Sequence, residues 1–190
     1  MKMAIKAGLV IGVFSAAGAF AAEGAGTVQR DVNQQERIEQ GLKSGELNTK
    51  EAARLERQEA VVDHMQAKAL KDGDLSAAER AKLAVAQNRV SRNIYREKHD
   101  EQTGNPNSAS SLRMQANVQR NANQEARVQQ GLASGSLSEQ EAARLERGRA
   151  HVDRKEARAG ADGHVGAVEQ RSIQRTENRQ SRRIFRHKHN

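Results

Sequence analysis

The residues best placed for chemistry are the oxygen-bearing side chains of Asp72-Gly73-Asp74-Leu75-Ser76-Ala77-Ala78-Glu79. Asp72, Asp74, Ser76 and Glu79 supply hard donors around a glycine that permits a sharp turn, which is how a loop holds calcium. The first half of such a loop is missing. Lys68 and Leu70 stand where carboxylates are needed, and Lys68 sets a positive charge against the ion. The expected affinity is at the weak, millimolar end for such loops. The same letters also spell a helix-turn signal: Gly73 suits the left-handed position after a helix, and Ser76 to Glu79 has capping-box form. Calcium or another divalent metal is therefore the alternative reading of this turn, and structure the first.

Arginines form the second constellation. Arg89, Arg92 and Arg96 are spaced three and four apart and share one helix face, as do Arg179, Arg182 and Arg186. Such faces can meet the phosphates of lipid or nucleic acid; they also complement the negative end of a helix dipole. His187 and His189 are two apart, so on a helix they diverge and chelate poorly. No nucleophile–base set, catalytic carboxylate pair or phosphate loop can be placed, and the chain reads as not an enzyme. Nothing in it points to sequence-specific nucleic-acid binding.

The elements that must carry these residues are written twice. Residues 29–99 reappear without a gap as 119–189, with about half the positions identical. Each copy reads as three helices and two turns. In the first, Val32, Ile38 and Leu42 mark one helix, Leu55, Val62, Met65 and Ala69 a second, and Leu83, Val90 and Ile94 a third. Gly45, Gly73, Gly135 and Gly163 sit at the turns, and Asn48, Ser76 and Ser138 start the helices that follow. At the fourth start, Gly166 has lost the capping hydroxyl while Glu169 is kept. The interleaved charges of Glu51-Ala52-Ala53-Arg54-Leu55-Glu56-Arg57 read as a solvated face with i,i+4 pairs. In copy two, His151, Lys155 and Gly160 replace Val61, Met65 and Leu70, so its middle helix is expected to fray near 158–163.

Lys2 and Lys6, an apolar small-residue run and Ala19-Phe20-Ala21 make residues 1–21 a signal peptide. The expected organisation is a signal peptide over 1–21, a first helical module over 22–99, a linker over 100–117 and a second module over 118–190. The linker carries the only proline, Pro106. The chain has no cysteine, 2% aromatic residues, 29% charged residues and a net charge of +8. That composition excludes disulfides and thiolate metal sites and leaves little for a large core. The fold class expected is all-α, with two tandem three-helix modules whose apolar seams are thin.

The segments Gly41-Leu42-Lys43-Ser44-Gly45-Glu46-Leu47, Glu51-Ala52-Ala53-Arg54-Leu55 and Ser91-Arg92-Asn93-Ile94-Tyr95-Arg96-Glu97-Lys98-His99 resemble small exported proteobacterial helical proteins of uncharacterised function. More loosely, Leu47-Asn48-Thr49-Lys50-Glu51 and Leu75-Ser76-Ala77-Ala78-Glu79 resemble the L-T-x-x-Q motifs of periplasmic stress chaperones, with glutamate in place of glutamine. Asp72 to Glu79 resembles the second half of an EF-hand loop. These resemblances imply a periplasmic or secreted binding or protective protein. Its expected partner is another protein or an anionic envelope component, with room for a homo-oligomer. After cleavage it would not be an integral membrane protein.

Overall fold

The computed structural model describes the backbone of residues 16–189 and the side chains of residues 23–189. The expected signal peptide lies for the most part outside the described residues. Six helices follow one another: α1 Ala16–Ser44, α2 Thr49–Ala69, α3 Ala77–Lys98, α4 Ala109–Ser134, α5 Glu139–Ala159 and α6 Ala167–Lys188. No strand occurs among the described residues, so the chain is all-α. No described helix is long and apolar enough to cross a membrane.

The starts of the helices follow from local chemistry. Asn48, Ser76 and Ser138 each accept a hydrogen bond from the backbone of a glutamate three residues on. That glutamate accepts the cap residue's N–H in return. Gly166 has no side chain to offer, but Glu169 Oε2 still accepts its N–H at 2.7 Å. Gly45, Gly73, Gly135 and Gly163 all have positive φ, the conformation that releases the chain from a helix. α4 begins at Ala109, within the stretch read from sequence as linker, because Ser108 caps it through Ser111 N–H at 3.1 Å.

α1 lies along α4 and α2 along α5; these are the most extensive contacts in the molecule. α3 packs on α1 and α2, and α6 on α4 and α5. One apolar cluster joins Ile38, Leu42 and Leu55 to Met114, Val118 and Ala159. A second joins Val28, Ala69 and Leu70 to Val128, Leu132 and Leu145. The C-terminal half of α1 thus meets the N-terminal half of α4, and the end of α2 meets the start of α5. Both pairs are antiparallel. Each cluster draws side chains from both halves of the sequence.

The expected seam residues Leu55, Val62, Leu83, Val90 and Ile94 are buried. α5 does not break where the apolar residues are replaced: it runs to Ala159, and Ala157 and Ala159 are buried. Met114 Cε and Ala53 Cβ lie so close to Gly160 that a Cβ there would meet them at 2.6 and 2.8 Å. The volume that Leu70 fills in copy one is taken in copy two chiefly by Met114 of α4. The connection 100–108 is also held down: Gly104 N–H donates to Gly45 O at 2.8 Å, and Gln115 Nε2 to Pro106 O at 2.8 Å.

Leu47 leaves the α1–α2 turn and folds back over Gly41. Its N–H reaches Gly41 O at 2.9 Å, and a Cβ on Gly41 would lie 2.7 Å from Leu47 Cδ1. Alanine favours a helix over glycine by about 1 kcal/mol, but overpacking costs roughly 1–3 kcal/mol. Gly41→Ala is expected to lower the melting temperature by a few degrees despite the better helix former, as thermal denaturation followed by circular dichroism will show.

Candidate metal centre

Between the two apolar clusters every core helix turns polar. α2 buries Glu56, Glu59, Asp63 and Gln66; α5 buries Glu146, Arg149, Asp153 and Glu156 at the matching positions. α1 contributes Asp31, Gln34 and Gln35, and α4 contributes Asn121, Gln124 and Glu125. Spacings of three, four and three on α2 and α5 keep these groups on the face turned to the bundle axis. Asp31, Glu56, Glu59, Asp63, Glu125, Glu146, Asp153 and Glu156 are all less than 2% exposed, and among the described residues the only cation buried with them is Arg149. The layer extends over about 15 Å of helix.

Arg149 organises one part. Its Nη2 lies 2.5 Å from Glu125 Oε1 and 3.5 Å from Asp153 Oδ1, and its Nε lies 3.8 Å from Asp63 Oδ2. Burial opposes its charge, but Glu125, Asp153, Asp63 and Glu146 surround it and hold it protonated. One guanidinium does not neutralise eight carboxyl groups. Both oxygens of Glu59, Asp63 and Glu146 are buried without a hydrogen-bond partner, as are Glu56 Oε1, Asp153 Oδ2 and Glu156 Oε1. A buried carboxylate left unpaired costs far more than a neutral polar group.

The densest part joins Glu56, Asp153 and Glu156. Each offers an oxygen, and the three oxygens lie within 4.8 Å of one another. The Asn121 amide points among them: its Nδ2 donates to Glu156 Oε2 at 2.7 Å, Glu56 Oε2 at 3.3 Å and Asp153 Oδ1 at 3.4 Å. Its own Oδ1 is buried without a partner. The positions ninety residues away are Asp31, Glu146, Asp63 and Gln66. Acid and amide have changed places there: Gln66 Nε2 donates to Asp31 Oδ2 at 2.5 Å, where copy two has Asn121 donating to Glu156.

Burial governs the protonation of the layer. It raises Asp31 to about 7 against the hydrogen bonds from Gln87 and Gln66. It raises Glu56 to about 8, aided by Asp153, and Glu146 to about 8 against the pull of Arg149. Glu59, Asp63, Glu125 and Glu156 are pushed well above the usual carboxylate range by the same desolvation.

The expected loop site lies elsewhere and is not gathered. Asp72 and Asp74 are exposed, and Asp72 Oδ1 accepts the Asp74 N–H. Glu79 Oε2 is taken by Ser76, through the backbone N–H at 3.1 Å and the hydroxyl at 2.6 Å. All six arginines of the two stripes are exposed. Arg92 and Arg96 share a hollow with Arg37, and Arg182 and Arg186 share one with Arg127. His187 faces Glu141, while His189 stacks on Phe185. A further trio, Glu51, Glu97 and Asp100, reaches the surface, and Glu51 is engaged in the α2 cap.

One expectation is corrected outright. Glu56 was assigned to a solvated face and is fully buried. Reading Glu and Arg as helix-surface letters hid the layer. Two signals were available in the sequence: Glu56/Glu146 and Asp63/Asp153 are kept in both copies, and Asp31/Asn121 changes in the opposite sense to Gln66/Glu156. Compared with protein-family models, with curated proteins and with solved structures, the chain matches none.

The pH dependence follows from the direction of these shifts. The folded pKa values lie above the unfolded ones of about 4, so between pH 4 and pH 8 the folded state holds more protons. The stability this contributes is complete below about pH 4 and is lost as pH rises through 7 to 8. In chelator, the melting temperature should be higher at pH 5 than at pH 8.5 by several degrees. Glu56→Gln should flatten that slope, because an amide does not ionise; calorimetry at the two pH values measures both.

Proposed function

We propose that this is an exported, non-enzymatic helical-repeat protein of the periplasm or extracellular space, and that its interior binds a hard divalent cation. One observation carries the reading: Glu56, Asp153 and Glu156 bring oxygens within 4.8 Å of one another at full burial. Oxygens that share a calcium ion, each bound at about 2.4 Å, lie no farther apart than that. Asn121 Oδ1 is within reach by rotation of its amide, since Nδ2 already lies among the three carboxylates. A bound cation would balance charge that Arg149 alone leaves unmatched.

The donor set selects the metal. It contains no imidazole or thiolate, which disfavours zinc and copper. Magnesium keeps several waters and demands a strict octahedron, which a fully buried site of carboxyl and amide groups does not supply. Calcium and manganese fit better. A protective role toward other envelope proteins is compatible with this reading. It is favoured by an apolar groove of about 710 Å³ between α2 and α3, where Val61 and Val85 are more than half exposed.

Isothermal titration at pH 7.5 tests the cation. Calcium or manganese should bind saturably and magnesium much more weakly, with a rise in melting temperature on binding. The double variant Glu56→Gln, Glu156→Gln should abolish binding while remaining at least as stable in chelator. Glu79→Gln should leave binding unchanged. Saturable binding that survives the double variant, or no binding of calcium or manganese at millimolar concentration, would overturn the proposal.

A further inference from the structure

The grooves between α2 and α3 and between α5 and α6 are formed by matching helices, and in and around them most exchanges add cations to the second, although Lys82 of the first groove is matched by Ser172. Val61, Met65, Ala81, Val85 and Asn93 of copy one correspond to His151, Lys155, Arg171, Arg175 and Arg183 of copy two. The first groove is apolar. The second has a volume of about 480 Å³, and Arg144, Arg147, His151, Arg179 and Arg183 line it. Along α5, Arg144, Arg147, His151, Arg154 and Arg158 recur at spacings of three and four, an exposed stripe of about 21 Å.

These charges have no carboxylate partner. Among the described residues, none of Arg144, Arg147, Arg154, Arg158, Arg175, Arg179 and Arg183 lies within 4 Å of a carboxylate. Copy one's Arg54, which matches Arg144, does reach one, at 3.9 Å on Glu97. The carboxylates of this half are spent elsewhere: Glu177 on Arg120, Glu169 on the α6 cap, Glu141 on Ser138 and His187. The crowding of cations is felt across the groove. Partial burial, then Arg179, Arg175 and Arg158, hold Lys155 below its usual range, although its Nζ also donates to Ser172 O at 2.8 Å. Like charges held this close on a retained helix pair raise the folded state's energy unless an anion joins them.

We propose that the α5–α6 groove binds a linear phosphate chain. Arginine pairs with phosphate bidentately, and cations run down both walls of a groove rather than over a flat face. A membrane surface would meet the rim and leave the groove itself unfilled. No Phe, Tyr or Trp lines the groove and its single ring is His151, so it lacks the row of stacking platforms by which single-stranded nucleic acid is held through its bases. What remains is recognition of closely spaced phosphates. The binding is independent of the interior cation.

The probe is medium-chain inorganic polyphosphate, titrated into the purified protein with chelator present. Four phosphate contacts on a flexible strand should weaken affinity roughly 50-fold between 50 and 200 mM salt. The triple variant Arg147→Gln, Arg179→Gln, Arg183→Asn should weaken binding at 50 mM salt at least tenfold and flatten the salt slope, with helicity unchanged by circular dichroism. The control triple Arg89→Gln, Arg92→Gln, Arg96→Gln on α3 should bind as the unmodified protein does. Equal losses in the two triples, no loss in the α5–α6 triple, or tighter binding to phosphatidylglycerol vesicles or single-stranded DNA than to polyphosphate would each overturn the proposal. Should the triple variant lose helicity, Arg183→Asn alone decides it. Asn is the residue copy one carries at the matching position, and unchanged affinity would overturn the proposal.

Discussion

The core of this protein is divided by charge buried where four helices meet. A bundle of this composition has few large apolar side chains, and they are divided into two clusters with a polar layer between them. In that layer the favourable terms are hydrogen bonds and ion pairs in a low dielectric. They stabilise only when each member is satisfied. Gln34, Gln124, Gln66 and Asn121 meet that condition on their nitrogens, reaching across to neighbouring helices at 2.5–3.1 Å. Asp31 meets it on both oxygens, but most of the carboxylates do not. Glu59, Asp63 and Glu146 have no hydrogen-bond partner on either oxygen. Protonation removes this penalty at low pH, and at neutral pH a bound cation would remove it. The same groups therefore make the fold conditional and the site attractive to metal.

The two outer helices connect this layer to the surface. Gln87 of α3 reaches Asp31, and Glu177, at the matching position of α6, is paired with Arg120. Around these differing pairs the framework is constant: Gln34 and Gln124 bond Ser91 and Ser181, and Arg30 and Arg120 bond Asn88 and Asn178. Constancy in the framework lets the grooves beside it change character without disturbing the core. Val61 and Val85 face solvent in one half, and His151 and Arg175 do so in the other.

Local rules made much of this legible in the sequence. Glycine turns, capping boxes and apolar spacings are set within a few residues, and Gly45, Gly73, Asn48, Ser76 and the seam of Leu55 and Val62 all behave as those rules require. The carboxylate layer follows a non-local rule. Glu56 has the same immediate neighbours whether it faces water or α5, and only the packing of α2 along α5 decides between them. The same holds for Gly160, whose lost side chain is replaced by Met114 from forty-six residues away in the chain. The acidic turn at Asp72 is local chemistry too: the capping box read from Ser76 to Glu79 is the one formed at the start of α3.

Covalent linkage of the two halves explains why the layer is asymmetric. The contacts of α1 with α4 and of α2 with α5 are those an isologous pair of identical chains would make, each surface meeting its own copy. In such a pair every position near the axis occurs twice with the same residue. The layer would then hold two copies of Glu59, or two of Arg149. A single chain is free of that restriction: it holds Glu59 in one half and Arg149 in the other, so one guanidinium serves Glu125, Asp153 and Asp63 together. The exchange of Asp31 and Gln66 for Asn121 and Glu156 works likewise, keeping one acid and one amide in hydrogen-bond contact in each half. It moves the second negative charge to the side of Glu56 and Asp153. The exchange leaves the number of acids unchanged, but it puts the acid of the second half on α5, where Glu156 joins Asp153 and Glu56 with oxygens within 4.8 Å of one another.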